Sequence, residues 1–168
     1  MTGNVVNLDV CRDQSYLEQT ARAHSIWQQQ HPRVRAVQVV LFATRLSENR
    51  THLINLLREH VGRGSRYDHR RTVDGLVGLC SSAIDYARRM DQFTAKICLT
   101  DIKVRVTNDV VLFPTDFPLA LVTGSALVWK PSLRGATLAM TVQELFEDAY
   151  EEFKASSGVS APGLLQVV

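Results

Sequence analysis

The sequence predicts an α+β fold, in which an antiparallel hairpin or meander sheet over about residues 96–140 packs against N-terminal helices and one C-terminal helix. Before Phe93, apolar residues recur about every 3.6 positions, which is the helical period. After Phe93 the period falls to two, as in half-buried strands. A capping-box sequence, residues 141–144, then predicts the start of a closing helix.

The chain has the length of one domain. Its 168 residues are 45% hydrophobic and 21% charged, which is ordinary for a globular protein. We assign residues 1–158 to a single α+β domain and residues 159–168 to a flexible or partner-binding tail. The apolar end of this tail, residues 164–168, could fray or could add a strand to a neighbouring subunit's sheet, which would give a homodimer.

Three helices are predicted in the first part, over residues 12–30, 47–61 and 72–92. Gly62 is a natural C-cap for the second helix, and Thr72 is a candidate cap for the third. The third helix has the clearest apolar stripe, with polar residues mostly on its other side.

Residues 33–46 are ambiguous, because a short apolar run fits both a helix and a buried strand. Val34, Val37, Val40 and Leu41 have helical spacing, whereas residues 37–42 are rich in β-branched and aromatic side chains. We favour a strand, by which residues 34–43 would join the sheet.

Two hairpins are predicted within residues 96–140. Asn108-Asp109 tolerates the positive φ of a tight turn, and Thr123-Gly124-Ser125 separates the apolar runs 119–122 and 126–129. Residues 136–140 are a candidate last strand. Hairpins rather than strand–helix–strand units argue against a doubly wound parallel sheet.

The composition predicts a cytoplasmic protein. Cys11, Cys80 and Cys98 are odd in number and lack C-x-x-C spacing, which indicates reduced thiols rather than a disulfide or a metal site. The N-terminal residues do not resemble a signal peptide, and no apolar run is long enough to cross a membrane. We expect no cofactor and no membrane partner.

The charge is unevenly distributed along the chain. Residues 1–72 hold eleven arginines, no lysine and six acidic residues, whereas residues 73–168 hold eight basic and eleven acidic residues. The segment 62–71, GRGSRYDHRR, concentrates the basic side chains. Guanidinium groups can contact phosphate oxygens in pairs, and a tyrosine can stack on a base. The candidate nucleic-acid-binding residues are therefore Arg63, Arg66, Tyr67, His69, Arg70 and Arg71.

These observations favour a non-enzymatic accessory or regulatory protein that contacts DNA or RNA through the loop 62–71. A solvated loop whose arginines pair with nearby acids is the plainer interpretation. One alternative is a protein-interaction module that uses the sheet edge, the tail or the acidic last helix. Another is an enzyme with a non-local site near His60, His69 and Asp68. We found no phosphate-binding loop, dinucleotide fingerprint or metalloprotease motif in the sequence.

Overall fold

The computed structural model describes residues 10–61, 68–90, 102–106 and 116–168. In chain order the elements are α1 Val10–Trp27, α2 Pro32–Glu48, α3 Arg50–Val61, α4 His69–Met90, β1 Ile102–Val106, α5 Phe117–Thr123, β2 Ala126–Lys130, α6 Ala136–Ser157 and β3 Leu165–Val167. A short 3-10 turn, Leu133–Gly135, precedes α6. Among these residues, no helix combines the length and the apolar character that a bilayer span requires.

The sheet of the described residues is parallel, with the strand order β1-β2-β3. Val104 pairs with Val128, and Val128 pairs with Gln166. Helix α5 lies between β1 and β2 along the chain, and α6 lies between β2 and β3. A parallel pair needs such a crossover connection, so the architecture consists of two successive strand–helix–strand units.

The antiparallel hairpin or meander sheet predicted for residues 96–140 is therefore wrong. Thr123-Gly124-Ser125 is not a hairpin turn, because Gly124 adopts a left-handed conformation with φ of 98° and ends helix α5. Residues 119–122 belong to that helix, and residues 136–140 belong to α6. The candidate turn at residues 108–109 lies outside the described residues. A period of two identifies strands but does not reveal whether their neighbours run parallel.

Residues 33–46 form most of helix α2, so the strand prediction for 34–43 is also wrong. His31 caps the helix by accepting a hydrogen bond from the backbone N–H of Arg33 at 3.3 Å, and Pro32 occupies its first turn. The buried positions Ala36, Val39, Phe42 and Leu46 follow spacings of three and four, because the helix faces the core on one side.

The final helix begins earlier than the capping-box sequence predicts. Helix α6 starts at Ala136, so Thr141 lies within it and its hydroxyl donates a hydrogen bond to the carbonyl of Thr137 at 3.0 Å. The amphipathic helix predicted for residues 72–92 is confirmed as α4, which begins three residues earlier, at His69. Asp68 closes its first turn by accepting from the backbone N–H of Arg70 at 3.0 Å.

One hydrophobic core joins the helices to the sheet. Helix α2 packs against α4, α5 and α6, while α1 lies on the sheet, mainly against β2. Trp27 is fully buried, donates its indole N–H to the carbonyl of Leu121 at 2.9 Å and meets Phe153 edge to face at 5.6 Å between ring centroids. These contacts hold α1, α5 and α6 in a fixed arrangement around β2.

Ion pairs link helices at the surface. Arg50 on α3 forms two hydrogen bonds to Asp74 on α4, at 2.6 and 2.8 Å, and these hydrogen bonds hold the pKa of Asp74 below its ordinary value. Arg45 on α2 contacts Glu152 on α6 at 2.6 Å. Exposed pairs of this kind contribute little individually, so the core determines most of the stability.

Candidate functional site

The carboxyl ends of the three parallel strands meet at one edge of the sheet. The Cα of Val106, the last residue of β1, pairs in register with that of Lys130, the last residue of β2. Val167 ends β3 and pairs with Trp129, whose carbonyl accepts from the N–H of Val168 at 3.0 Å. Ligands of open parallel sheets bind outside this edge, because the connecting loops there leave a crevice.

Polar groups lie at the end of β2 and directly after it, at this edge. Lys130 is partly exposed, and Ser132 begins the 3-10 turn that leads into α6. The backbone N–H of Gly135 donates to the carbonyl of Ser132 at 2.9 Å and to its hydroxyl at 3.3 Å. The edge therefore places an ammonium group close in sequence to the N-terminus of a 22-residue helix, where the aligned backbone N–H groups favour an anion.

An apolar side chain completes this edge. Leu133 is 99% exposed, although Trp129, four residues earlier, is only 2% exposed. A fully exposed leucine between a lysine and a helix N-terminus offers an apolar surface for a flat ligand group. Residues 130–137 contain two basic residues, Lys130 and Arg134, and no Asp or Glu.

The predicted nucleic-acid-binding residues lie elsewhere. Arg63, Arg66 and Tyr67 lie outside the described residues. Arg70 and Arg71 are exposed on the first turn of α4, where Arg71 Nε lies 3.5 Å from Asp68 Oδ2. His69 is half-buried beside them, and its Nδ1 is enclosed without a hydrogen-bond partner in the described part of the chain.

The histidine cluster offers no thiol nucleophile. His60 is exposed near the end of α3, and Cys80 lies in the core with none of its surface exposed. Burial raises the pKa of the Cys80 thiol to about 12, so the thiol is protonated at neutral pH. Within the described ranges no group of three His, Cys, Asp or Glu side chains is arranged to hold a metal ion.

Comparison with known proteins yields a fold but no sequence family. No family model matches the sequence, and no curated protein matches it. A 1-pyrroline-5-carboxylate dehydrogenase from Thermus thermophilus superposes with a TM-score of 0.76 at 14% identity, over 94% of this chain and 32% of that chain. The chain shares its fold with part of a dehydrogenase.

Two further solved structures agree. The NADP-dependent glyceraldehyde-3-phosphate dehydrogenase from Bacillus halodurans, complexed with NADP, has a TM-score of 0.74 at 20% identity, over 94% of this chain and 35% of that chain. Aldehyde dehydrogenase C from Pseudomonas syringae, in complex with NAD⁺ and octanal, has a TM-score of 0.73 at 16% identity, over 94% of this chain and 33% of that chain. The chain spans about a third of the length of these structures.

This likeness corrects the function predicted from the sequence. The interpretation as a non-enzymatic accessory or regulatory protein that contacts nucleic acid is wrong, because the chain shares the fold of about a third of several dehydrogenases. Its alternatives placed the site on the sheet edge, the tail, the acidic helix or the histidines. None of them considered the carboxyl edge of a parallel sheet. The sequence signal that could have indicated this edge is Lys130-Pro131-Ser132 at the end of a buried apolar run.

Proposed function

We propose that this chain binds a nicotinamide adenine dinucleotide at the carboxyl edge of β1, β2 and β3, as part of an NAD(P)-dependent dehydrogenase. The observation that carries the proposal is the convergence of three parallel strand ends, Lys130 and the N-terminus of α6 at one edge. The shared fold supports it, since two of the solved neighbours hold NADP or NAD⁺. We also expect a cytoplasmic location, in keeping with the reduced thiols predicted from the sequence.

The residues present fit a phosphate-bearing ligand. Lys130 supplies a cation, and the first backbone N–H groups of α6 supply a positive helix end. The exposed face of Leu133 would pack against an apolar ring face of the dinucleotide. When bound, the nicotinamide of such a cofactor would accept or donate a hydride. The role of these residues is to bind and orient the dinucleotide.

The charge of this edge favours NADP over NAD. In doubly wound sheets an acidic side chain hydrogen-bonds the ribose 2′-hydroxyl of NAD, whereas a cation accommodates the 2′-phosphate of NADP. Residues 130–137 contain Lys130, Arg134 and no acidic residue. We therefore expect the chain to bind NADP⁺ at least about tenfold more tightly than NAD⁺, the ratio that one charge-assisted hydrogen bond gives.

The experiment is a titration of the chain with NADP⁺ and NAD⁺, followed by calorimetry and by the fluorescence of the two tryptophans, of which Trp129 lies next to Lys130. Lys130→Ala should weaken NADP⁺ binding about tenfold or more and leave NAD⁺ binding less affected. Lys154→Ala is the matched control, because Lys154 lies in the last turn of α6 and pairs with Glu151. Folded protein that binds neither dinucleotide at about 1 mM would contradict the proposal.

A further inference from the structure

A cleft of about 360 Å³ lies where α6 meets the segment that leads into β3. Helix α6 contributes Glu147, Asp148 and Glu151 to its lining, residues 161–166 line it as well, and α1 contributes Gln19. The three carboxylates are exposed. No lysine, arginine or histidine is among the described residues that line the cleft. A ligand of complementary charge is therefore a cation.

The contacts of these carboxylates within the chain leave most of their charge uncompensated. Asp148 forms neither a hydrogen bond nor an ion pair with the rest of the described chain. Glu147 accepts from the amide of Gln143 at 2.7 Å, and that amide carries no charge. Glu151 pairs with Lys154 at 3.1 Å, but both side chains are exposed, and an exposed pair of this kind contributes little. Negative charge therefore exceeds positive charge at the cleft.

A buried amide in the cleft points independently to a ligand. Gln166 on β3 lines the cleft and is only 7% exposed, yet its side-chain amide forms no hydrogen bond within the described part of the chain. Its Nε2 lies against Gly163, where a Cβ built on the glycine would come within 2.8 Å of it. Buried polar groups normally have a partner, because an unpaired amide loses the hydrogen bonds that water would give it. A ligand in the cleft would supply that partner.

The spacing of the carboxylates indicates the kind of cation. Glu147 and Glu151 are one helical turn apart, with about 5–6 Å between the Cβ atoms of such neighbours. Within the described ranges no three His, Cys, Asp or Glu side chains converge as metal ligands. The apolar side chains of Phe146 and Leu165 line the cleft beside the carboxylates, which suits an aliphatic stem. We propose that the cleft binds a linear aliphatic diamine or polyamine, whose ammonium groups lie on the carboxylates of α6 and donate to the amide oxygen of Gln166.

Putrescine, a linear diamine, is the probe that tests the proposal. Calorimetric titration of the chain at low ionic strength should give a dissociation constant below about 1 mM, and salt should raise that constant. Butylamine, which lacks the second ammonium group, should bind at least about tenfold more weakly. None of residues 130–137 lines the cleft, so Lys130→Ala should bind putrescine as the wild type does. The result is therefore independent of dinucleotide binding.

Variants of the cleft separate this site from general effects of charge. Asp148→Asn with Glu151→Gln should weaken putrescine binding about tenfold or more, because it removes two charges with little change of shape. Glu144→Gln is the matched control, since Glu144 is exposed on the same helix outside the cleft, and it should bind putrescine unchanged. Gln166→Met, which replaces the amide by an apolar group of similar length, should also weaken binding. Circular dichroism verifies that each variant is folded.

Three outcomes would each overturn the proposal. The first is a wild type that gives no binding heat with putrescine at about 10 mM. The second is an unaltered affinity in the double variant or in folded Gln166→Met. The third is a loss of affinity in Glu144→Gln as large as that in the double variant, which would indicate attraction to the acidic surface in general.

Discussion

The buried side chain of Arg35 on α2 lies directly against Gly124, the residue that ends α5 and leads into β2. Arg35 is only 2% exposed, and its Nη1 donates to the carbonyl of Gln28 at 3.5 Å. A Cβ built on Gly124 would overlap this Nη1 atom. Two segments distant in sequence therefore meet at a position that has room only for glycine, immediately before the strand that carries Lys130.

Gly124→Ala should destabilise the protein by about 2–4 kcal/mol, because it combines a strained left-handed backbone with overlap on a buried guanidinium group. Gly158→Ala is the matched control: its φ is 72°, but no atom lies within 4 Å of the added Cβ. That variant should lose only the free energy that a left-handed backbone costs a residue with a Cβ, about 1–2 kcal/mol. Chemical denaturation measures both. Equal losses at the two positions would show that the Arg35 side chain moves away from the added methyl group without a loss of stability.

Gly78→Ala should stabilise the protein by about 0.5–1 kcal/mol. Gly78 lies within the long helix α4, and nothing is found within 4 Å of a Cβ built there. Alanine has the higher helix propensity and reduces the conformational freedom of the unfolded chain. The midpoint of urea denaturation should rise with an unchanged slope. A loss of stability would reveal a close neighbour at this surface.

Tyr150→Phe should cost about 1–3 kcal/mol in the free energy of unfolding. The Tyr150 hydroxyl accepts a hydrogen bond from the N–H of Ala161, a fully buried residue in the segment that leads to β3. Without the hydroxyl this N–H is left buried and unpaired. Tyr86→Phe, at a 43% exposed position of α4, should change stability by less than about 0.5 kcal/mol and serves as the control.

Burial also raises the pKa of Tyr150, and this gives the same pair of variants a pH test. The folded protein holds the neutral phenol more tightly than the unfolded chain does. The resulting stability is fully present below the ordinary pKa of about 10 and is lost as the pH rises through the folded value. The difference in stability between wild type and Tyr150→Phe should therefore shrink above about pH 10. A difference that is constant to pH 11 would contradict this linkage.

Cys80 should resist thiol reagents in the folded protein. It is fully buried, and burial raises its pKa from 9.0 to about 12, so the reactive thiolate is scarce. In a Cys11→Ser, Cys98→Ser background, Ellman's reagent at pH 8 should react only as fast as the protein opens, and rapidly in guanidinium. Fast reaction under native conditions would contradict the buried placement.

The raised pKa of Cys80 should also make the free energy of unfolding decrease at alkaline pH. Since the folded pKa is the higher one, the unfolded chain releases the thiol proton first as the pH rises. Stability should fall between about pH 9 and pH 12, and Cys80→Ala should remove that part of the decline. Denaturation curves at pH 8 and pH 10.5 compare the two proteins. An identical decline in both would assign the effect to other groups.

Some of the fold follows from local sequence alone. The apolar stripe of α4 predicts its helix, because spacings of three and four leave only one face that can be buried. The amphipathic part of α6 is recognised for the same reason, although its start is misplaced by five residues. The sequence also indicates that an element ends near Gly124, but a glycine at such a position can close a hairpin or end a helix. The structure decides between the two, because the backbone N–H of Gly124 donates back to the carbonyl of Leu121 at 3.0 Å and so ends α5.

The site was not recognised, because its parts come together only in the sheet. Lys130 becomes part of the candidate site only because β1, β2 and β3 align their carboxyl ends beside it. The site was predicted at the basic segment 62–71 instead, because local charge density is visible in a sequence and a shared strand edge is not. Residues 34–43 failed for a related reason, since β-branched residues suit a strand until the packing of α2 against α4 and α6, which buries Val39 and Phe42, selects a helix.

The sequence by itself determined which segments are apolar, where the strongest helix runs and how charge divides along the chain. These are properties of neighbouring residues, so short-range periodicity encodes them. Only the tertiary structure decided that β1, β2 and β3 run parallel, that α5 and α6 cross over between them, and that Lys130 lies at the common edge. Strand direction depends on contacts between residues far apart in sequence, and no local pattern contains that information.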